Sequence, residues 1–107
     1  NNYIDLDVLD LNKKIQEDSC PTIIDVREDF ELEISKLNSA IHIPMNELPK
    51  RIDELDKNLE YIIICRTGSR SKQICEFLIN QNFKAISNLS GGLNEWARQI
   101  DNSMSIY

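Results

Sequence analysis

The sequence predicts an α/β fold with a mostly parallel central sheet flanked by helices on both faces. Three observations point there. The short apolar runs "TIIDV" (22–26), "YIII" (61–64) and "AISNL" (85–89) read as strands buried on both faces, because a half-solvated strand would alternate apolar and polar residues. Between them lie segments whose apolar residues recur at helical spacing. Strands and helices also alternate along the chain, the pattern of parallel βαβ units.

The elements follow in order. Asp5 to Asp18 reads as a helix, with Val8, Leu11 and Ile15 at i, i+3 and i+7 and with Asp5 or Asp7 as its cap. Pro21 ends the connection into the strand at 22–26. "SAIHIP" (39–44) is a weaker strand closed by Pro44, and "NELPKRIDEL" (46–55) is a short helix with Pro49 in its first turn. After the strand at 61–64, a helix runs from Ser69 to about Asn80 and buries Ile74, Cys75 and Leu78 on one face. The strand at 85–89 leads to a Gly91-Gly92 turn and a last helix holding Leu93, Trp96 and Ile100. The tail "DNSMSIY" (101–107) is expected to be extended. The predicted order is helix, strand, strand, helix, strand, helix, strand, helix.

Length and composition bound the function. A chain of 107 residues is expected to form a single domain over 1–107. It hides roughly 65% of its unfolded surface, enough to fold without disulfides or metal. Acidic residues outnumber basic ones 18 to 12, for a net charge of −6, which argues against nucleic acid and anionic membranes as partners. No apolar run is long enough to span a membrane, and no signal-peptide pattern opens the chain. Cys20, Cys65 and Cys75 form no CxxC pair, so a reducing, cytoplasmic setting is expected. With a single His, no metal site is expected either. The chain does not begin with Met, which fits a processed protein or a domain cut from a longer one.

The chemistry gathers in "CRTGSRS" (65–71). Cys65 lies at the carboxyl end of the most apolar strand, where parallel α/β sheets bind ligands. A cysteine after a buried strand is usually a small hydrophobe, but Arg66, Gly68 and Arg70 with hydroxyls between them are a poor extension of a core. Gly68 permits a sharp turn that points backbone N–H groups inward, and the following helix adds its own unpaired donors, making an anion cradle. A helix start stabilises a nearby anion by about 0.3–1 kcal/mol, up to ~2 when partly buried, and loop amides and the two arginines add to that. Cys65 is therefore expected to act as a thiolate nucleophile, with Arg66 and Arg70 as anion contacts. Thr67, Ser69 and Ser71 either donate to the bound anion or serve the turn and the helix cap. Cys75 and Trp96 read as core, and Cys20 and His42 as residues without a chemical role. "DLDVLD" (5–10) reads as a helix start.

At this point the chain resembles the rhodanese-like sulfurtransferases. "CRTGSRS" looks like their active-site loop, "IIDVRE" (23–28) like their first long strand with its Asp-x-Arg signature, and "AIHIP" (40–44) like their Ala-x-x-Ile-Pro segment. "LSGGLNEWARQ" (89–99) resembles their Gly-Gly turn and Trp-bearing last helix. Where the family often has Gly-His-Ile before the Ala-x-x-Ile-Pro strand, this chain has "SKLNSA" (35–40). The resemblance implies a catalytic Cys65 that takes sulfur from thiosulfate or a protein persulfide and becomes a persulfide. Arg66, Thr67, Gly68, Ser69 and Arg70 would bind the substrate, no cofactor would be needed, and Asp25 and Arg27 would support the loop. The end of the chain, "GGLNEWARQIDNSMSIY", is similar to rhodanese domains fused behind adenylyltransferases. That likeness implies a preceding adenylyltransferase domain and a ubiquitin-like sulfur-carrier protein as the acceptor.

Three rivals remain at the level of sequence. One is a free-standing thiosulfate sulfurtransferase. Another is a non-catalytic rhodanese-like binding module, although such modules usually lose the cysteine or its arginines. The third is a Cys-dependent phosphatase or arsenate reductase. Those enzymes place five residues between Cys and Arg to wrap a tetrahedral oxyanion, whereas four separate Cys65 from Arg70 here.

Overall fold

The computed structural model describes residues 2–107. In chain order its elements are β1 (Ile4–Leu6), α1 (Val8–Gln16), β2 (Thr22–Asp25), α2 (Asp29–Ile34), β3 (Ile41–His42), a 3₁₀ helix (Leu48–Glu54), β4 (Glu60–Ile64), α3 (Ser69–Asn80), β5 (Ala85–Leu89) and α4 (Gly92–Gln99). The strands form one sheet in the order β1-β5-β4-β2-β3, and every pairing is parallel.

The apolar runs are continuous because both faces of the sheet are covered. Along β4 and just past it, Tyr61, Ile63 and Cys65 face one core with Ile74, Cys75 and Leu78 of α3 and Leu48 of the 3₁₀ helix. Ile62 and Ile64 face the opposite core with Val8 and Leu11 of α1 and Leu93 and Trp96 of α4. The period-2 geometry of a strand sends alternate side chains into the two layers.

Several expectations need correction. The helix expected over Asp5–Asp18 is shorter: Ile4–Leu6 is an edge strand paired with Ser87–Leu89 of β5, and α1 begins at Val8. Asp7 is its cap, accepting from the Asp10 amide at 2.8 Å. Helix α2 was not expected. It presents Phe30 to solvent, 62% exposed, and buries Glu31, 4% exposed, so its pattern runs opposite to that of a core-facing helix. The strand expected at 39–44 is only Ile41–His42, and the segment at 46–55 forms a 3₁₀ helix with Pro49 in its first turn. The helix from Ser69 to Asn80 forms as expected, with Ile74, Cys75 and Leu78 buried.

Strand order positions the site. From β2 the chain turns outward to β3, and from β4 it turns the other way to β5. The crevice between the carboxyl ends of β2 and β4 is thus a topological switch point, where open α/β sheets hold their ligands. Cys65 follows β4 there, and Arg27 follows β2.

Candidate active site

The Cys65 side chain is fully buried, and two amide donors and one hydroxyl surround its sulfur. The Gly68 amide reaches Sγ at 3.1 Å, the Ser71 amide at 3.4 Å, and Ser71 Oγ lies 3.2 Å away. Gly68 is the N-cap of α3 with φ +102°, a conformation that L side chains rarely adopt. Its left-handed turn sends the chain back so that the first turn of α3 points its amides at the sulfur.

Helix α4 holds the loop from outside. The amides of Leu93 and Asn94 donate to the carbonyls of Cys65 (2.9 Å) and Arg66 (3.0 Å). In a trans peptide the N–H points opposite to the C=O, so the amides of Arg66 and Thr67 face away from α4. The close approach needs Gly92, whose φ is +63° and where a Cβ would lie 2.4 Å from the Arg66 carbonyl oxygen.

The expected substrate-binding residues divide into two groups. Arg66, Thr67 and Ser69 are exposed around the loop, whereas Gly68 and Ser71 are buried beneath it. The Arg66 guanidinium lies over the Tyr107 ring, 5.0 Å from its centroid. Arg70 is paired with a residue that sequence reasoning missed: its Nη1 and Nη2 donate to the two Glu31 carboxylate oxygens at 2.7 and 2.8 Å. Glu31 also accepts from the Glu28 amide (2.8 Å) and the Tyr107 hydroxyl (3.0 Å). The Arg70 hydrogen bonds, helped by those of Glu28 and Tyr107, pull the Glu31 carboxyl down to about 2 despite its burial. One signal was available in sequence: Glu28 and Glu31 at Ncap and N3 are spaced as a capping box, and both of its bonds form.

Beneath this pair lies a second one. The Asp25 carboxylate accepts from Arg27 Nε (3.0 Å), Nη2 (2.8 Å) and the Arg27 amide (3.0 Å), and both residues are buried. Burial alone would lower the Arg27 pKa, but the Asp25 carboxylate raises it. The same guanidinium donates to the Ser35 carbonyl (2.7 Å) and the Tyr107 hydroxyl (2.8 Å). It thereby ties down the segment where the Gly-His-Ile motif is absent. The 101–107 tail is not simply extended as expected: it turns at 101–104, where the Met104 amide donates to the Asp101 carbonyl at 3.1 Å, and Tyr107 then bridges Arg27 and Glu31 under Arg66. Burial pushes the Cys75 and Cys20 thiols up, consistent with thiols that stay neutral. His42 is half-buried, with Nε2 donating to the Arg27 carbonyl at 2.7 Å.

Comparison with known proteins identifies the family. The family described as Rhodanese-like domain matches residues 8–99. The chain is 42% identical over 86 residues to the "Putative sulfurtransferase YtwF" of Bacillus subtilis, covering 80% of this chain and 82% of that protein. It is 32% identical over 111 residues to the "Adenylyltransferase and sulfurtransferase uba4" of Ogataea parapolymorpha, matching 97% of this chain but 28% of that one. The crystal structure of a rhodanese-like domain protein from Staphylococcus aureus superposes with a TM-score of 0.82 at 30% identity, over 97% of this chain and 98% of that chain. The chain belongs to the rhodanese-like domain family.

Proposed function

We propose that this rhodanese-type sulfurtransferase carries sulfane sulfur as a persulfide on Cys65. The observation that carries this reading is the pair of amide donors converging on Sγ from Gly68 and Ser71. They stabilise a sulfur anion inside a closed loop. With thiosulfate, the Cys65 thiolate attacks the outer sulfur, the S–S bond to the sulfonate sulfur breaks, and sulfite leaves with the electron pair. The enzyme is left as Cys65–S–S⁻. With a protein persulfide the leaving group is the donor's cysteine thiolate. In the second half-reaction a nucleophile attacks the outer sulfur and Cys65 leaves as its thiolate.

Between the two donor classes, the geometry supports a protein persulfide. Arg70 already has both terminal nitrogens on Glu31, so a small dianion must compete with a resident carboxylate for that cation. A persulfide terminus needs only to reach Sγ. The likeness to uba4 over nearly the whole chain supports a ubiquitin-like sulfur carrier as acceptor. There the outer persulfide sulfur instead attacks the activated carboxyl carbon, and the activating group leaves. A dithiol reductant, itself oxidised to a disulfide, then cleaves the resulting acyl disulfide and releases the thiocarboxylate and the Cys65 thiol. In this reading an adenylyltransferase domain supplies the activated carboxylate. The 42% identity to YtwF, matched over 82% of that protein's own length, supports the second reading, a free-standing sulfurtransferase. Three unpaired cysteines support a reducing, cytoplasmic setting.

The test is intact mass of wild type and Cys65→Ser after exposure to thiosulfate, or to a cysteine desulfurase with cysteine. The expected result is a gain of one sulfur atom, removed by cyanide and absent in the variant. No gain from either donor with Cys65 reduced would overturn the reading in favour of a binding module.

A further inference from the structure

Below Cys65 a chain of polar groups leads away from the sulfur and out to the sheet edge. Ser71 Oγ, 3.2 Å from Sγ, donates to Asn88 Oδ1 at 2.5 Å, and Asn88 Nδ2 donates to Asp5 Oδ1 at 3.1 Å. Ser71 is fully buried and Asn88 is 4% exposed, whereas Asp5 is exposed on β1. None of these contacts is needed to shape the loop, which Gly68 and α4 already do. We propose that Asn88 and Asp5 are positioning residues for sulfur transfer, directing the one hydroxyl hydrogen of Ser71 toward or away from Sγ. The proposal rests on Cys65 being the sulfur carrier.

The number of available hydrogens decides what Ser71 can do. A serine hydroxyl has a single hydrogen to donate, and an amide oxygen has none. While Asn88 turns Oδ1 to Ser71, that hydrogen is committed to the amide. Ser71 Oγ can then only accept from the sulfur, so the arrangement suits a Cys65 sulfur that is a neutral thiol. When Sγ becomes anionic, the thiol proton leaves to solvent and the Ser71 hydrogen must swing to the sulfur. Asn88 Oδ1 would then sit buried without a donor, a costly state. The alternative is for the amide to turn over, so that Nδ2 donates to Ser71 Oγ and Ser71 donates to Sγ. Asp5 opposes that turn, because Oδ1 would then meet the Asp5 carboxylate, acceptor against acceptor.

The direction of the effect follows from the reaction. Sγ carries charge when it attacks the donor and again when it leaves toward the acceptor. In the persulfide the charge lies on the outer sulfur and Sγ is neutral. Asp5, acting through Asn88 and Ser71, therefore favours the loaded persulfide over the thiolate and slows release.

The test is the rate of iodoacetamide alkylation at Cys65, measured at pH 7 and localised by peptide mass. Asp5→Ala, on the exposed edge strand, leaves the amide free to turn and should raise the rate about threefold. It should raise sulfur release from the persulfide to cyanide by a similar factor. Asn88→Asp, which can only accept from Ser71, should lower the alkylation rate about tenfold. In a Ser71→Ala background, Asp5→Ala should have no effect, a loss of coupling that a merely structural role would not produce. The proposal is overturned if Asp5→Ala leaves the rate unchanged, or accelerates it equally with and without Ser71. Sulfur loading by intact mass is read on the same samples. Loading that fails while the coupling persists would overturn the persulfide reading, and loading that succeeds without coupling would overturn the relay alone.

Discussion

Replacing Glu31 with Gln should weaken the fold while strengthening the binding of an anionic donor. The carboxylate sits 4% exposed, with Arg70 on both oxygens and Tyr107 and the Glu28 amide completing its shell. Held at about 2 against an ordinary value of 4.5, it contributes up to about 3 kcal/mol at neutral pH. Because the folded value is the lower one, that contribution is complete above pH 4.5 and is lost as pH falls through 4.5 toward 2. By pH 3 it should be less than half its neutral value, about 1.4 kcal/mol. Glu31→Gln is neutral at every pH, so it should be less stable than wild type by about 2 to 3 kcal/mol at pH 7, enough to lower Tm by roughly 10 °C. The gap should narrow by more than half at pH 3. Urea denaturation of both proteins at the two pH values measures this directly. Arg70, released from its carboxylate, should meanwhile lower the KM for thiosulfate about threefold or more. Equal stability at pH 7, or a deficit that stays constant between pH 7 and pH 3, would refute the reasoning.

Two further substitutions probe the supports of the loop. Gly92→Ala places a Cβ 2.4 Å from the Arg66 carbonyl oxygen at φ +63°, so α4 must draw back from the loop. We expect a loss of about 2 kcal/mol or more in urea denaturation and persulfide loading at least tenfold slower by intact mass, and near-normal loading would contradict the role given to α4. Asp25→Asn leaves the buried Arg27 charge without its carboxylate and should cost about 3–5 kcal/mol, whereas a loss under 1 kcal/mol in denaturant would contradict the pairing.

Sequence reading recovered what depends on local pattern. The buried runs that became β2, β4 and β5 and the helix from Ser69 to Asn80 are continuous signals within one segment. Cys65 and its loop were legible because cationic and hydroxyl residues break an apolar strand. Strand β1 was not, because it is three residues long and gains its ladder from β5 more than eighty residues later. Its Asp5 looked like a helix cap. Helix α2 was missed because Phe30 faces solvent and Glu31 the interior, the reverse of the pattern that marks an amphipathic helix. The partners of the loop's charges were equally hidden. Glu31 meets Arg70 across 39 residues and Tyr107 meets Arg27 across 80, and nothing in local spacing encodes either contact.

The cysteine loop is therefore completed from both ends of the chain. Its carbonyls wait for Leu93 and Asn94, and the Asn88–Asp5 bond spans 83 residues. Until β5 and α4 fold against it, the loop lacks its α4 ties and Ser71 lacks its Asn88 contact. A fragment arrested short of residue 88 would carry a thiol without its completed pocket. The pocket around the sulfur is thus a late product of folding, complete only once residues 88 to 94 are in place.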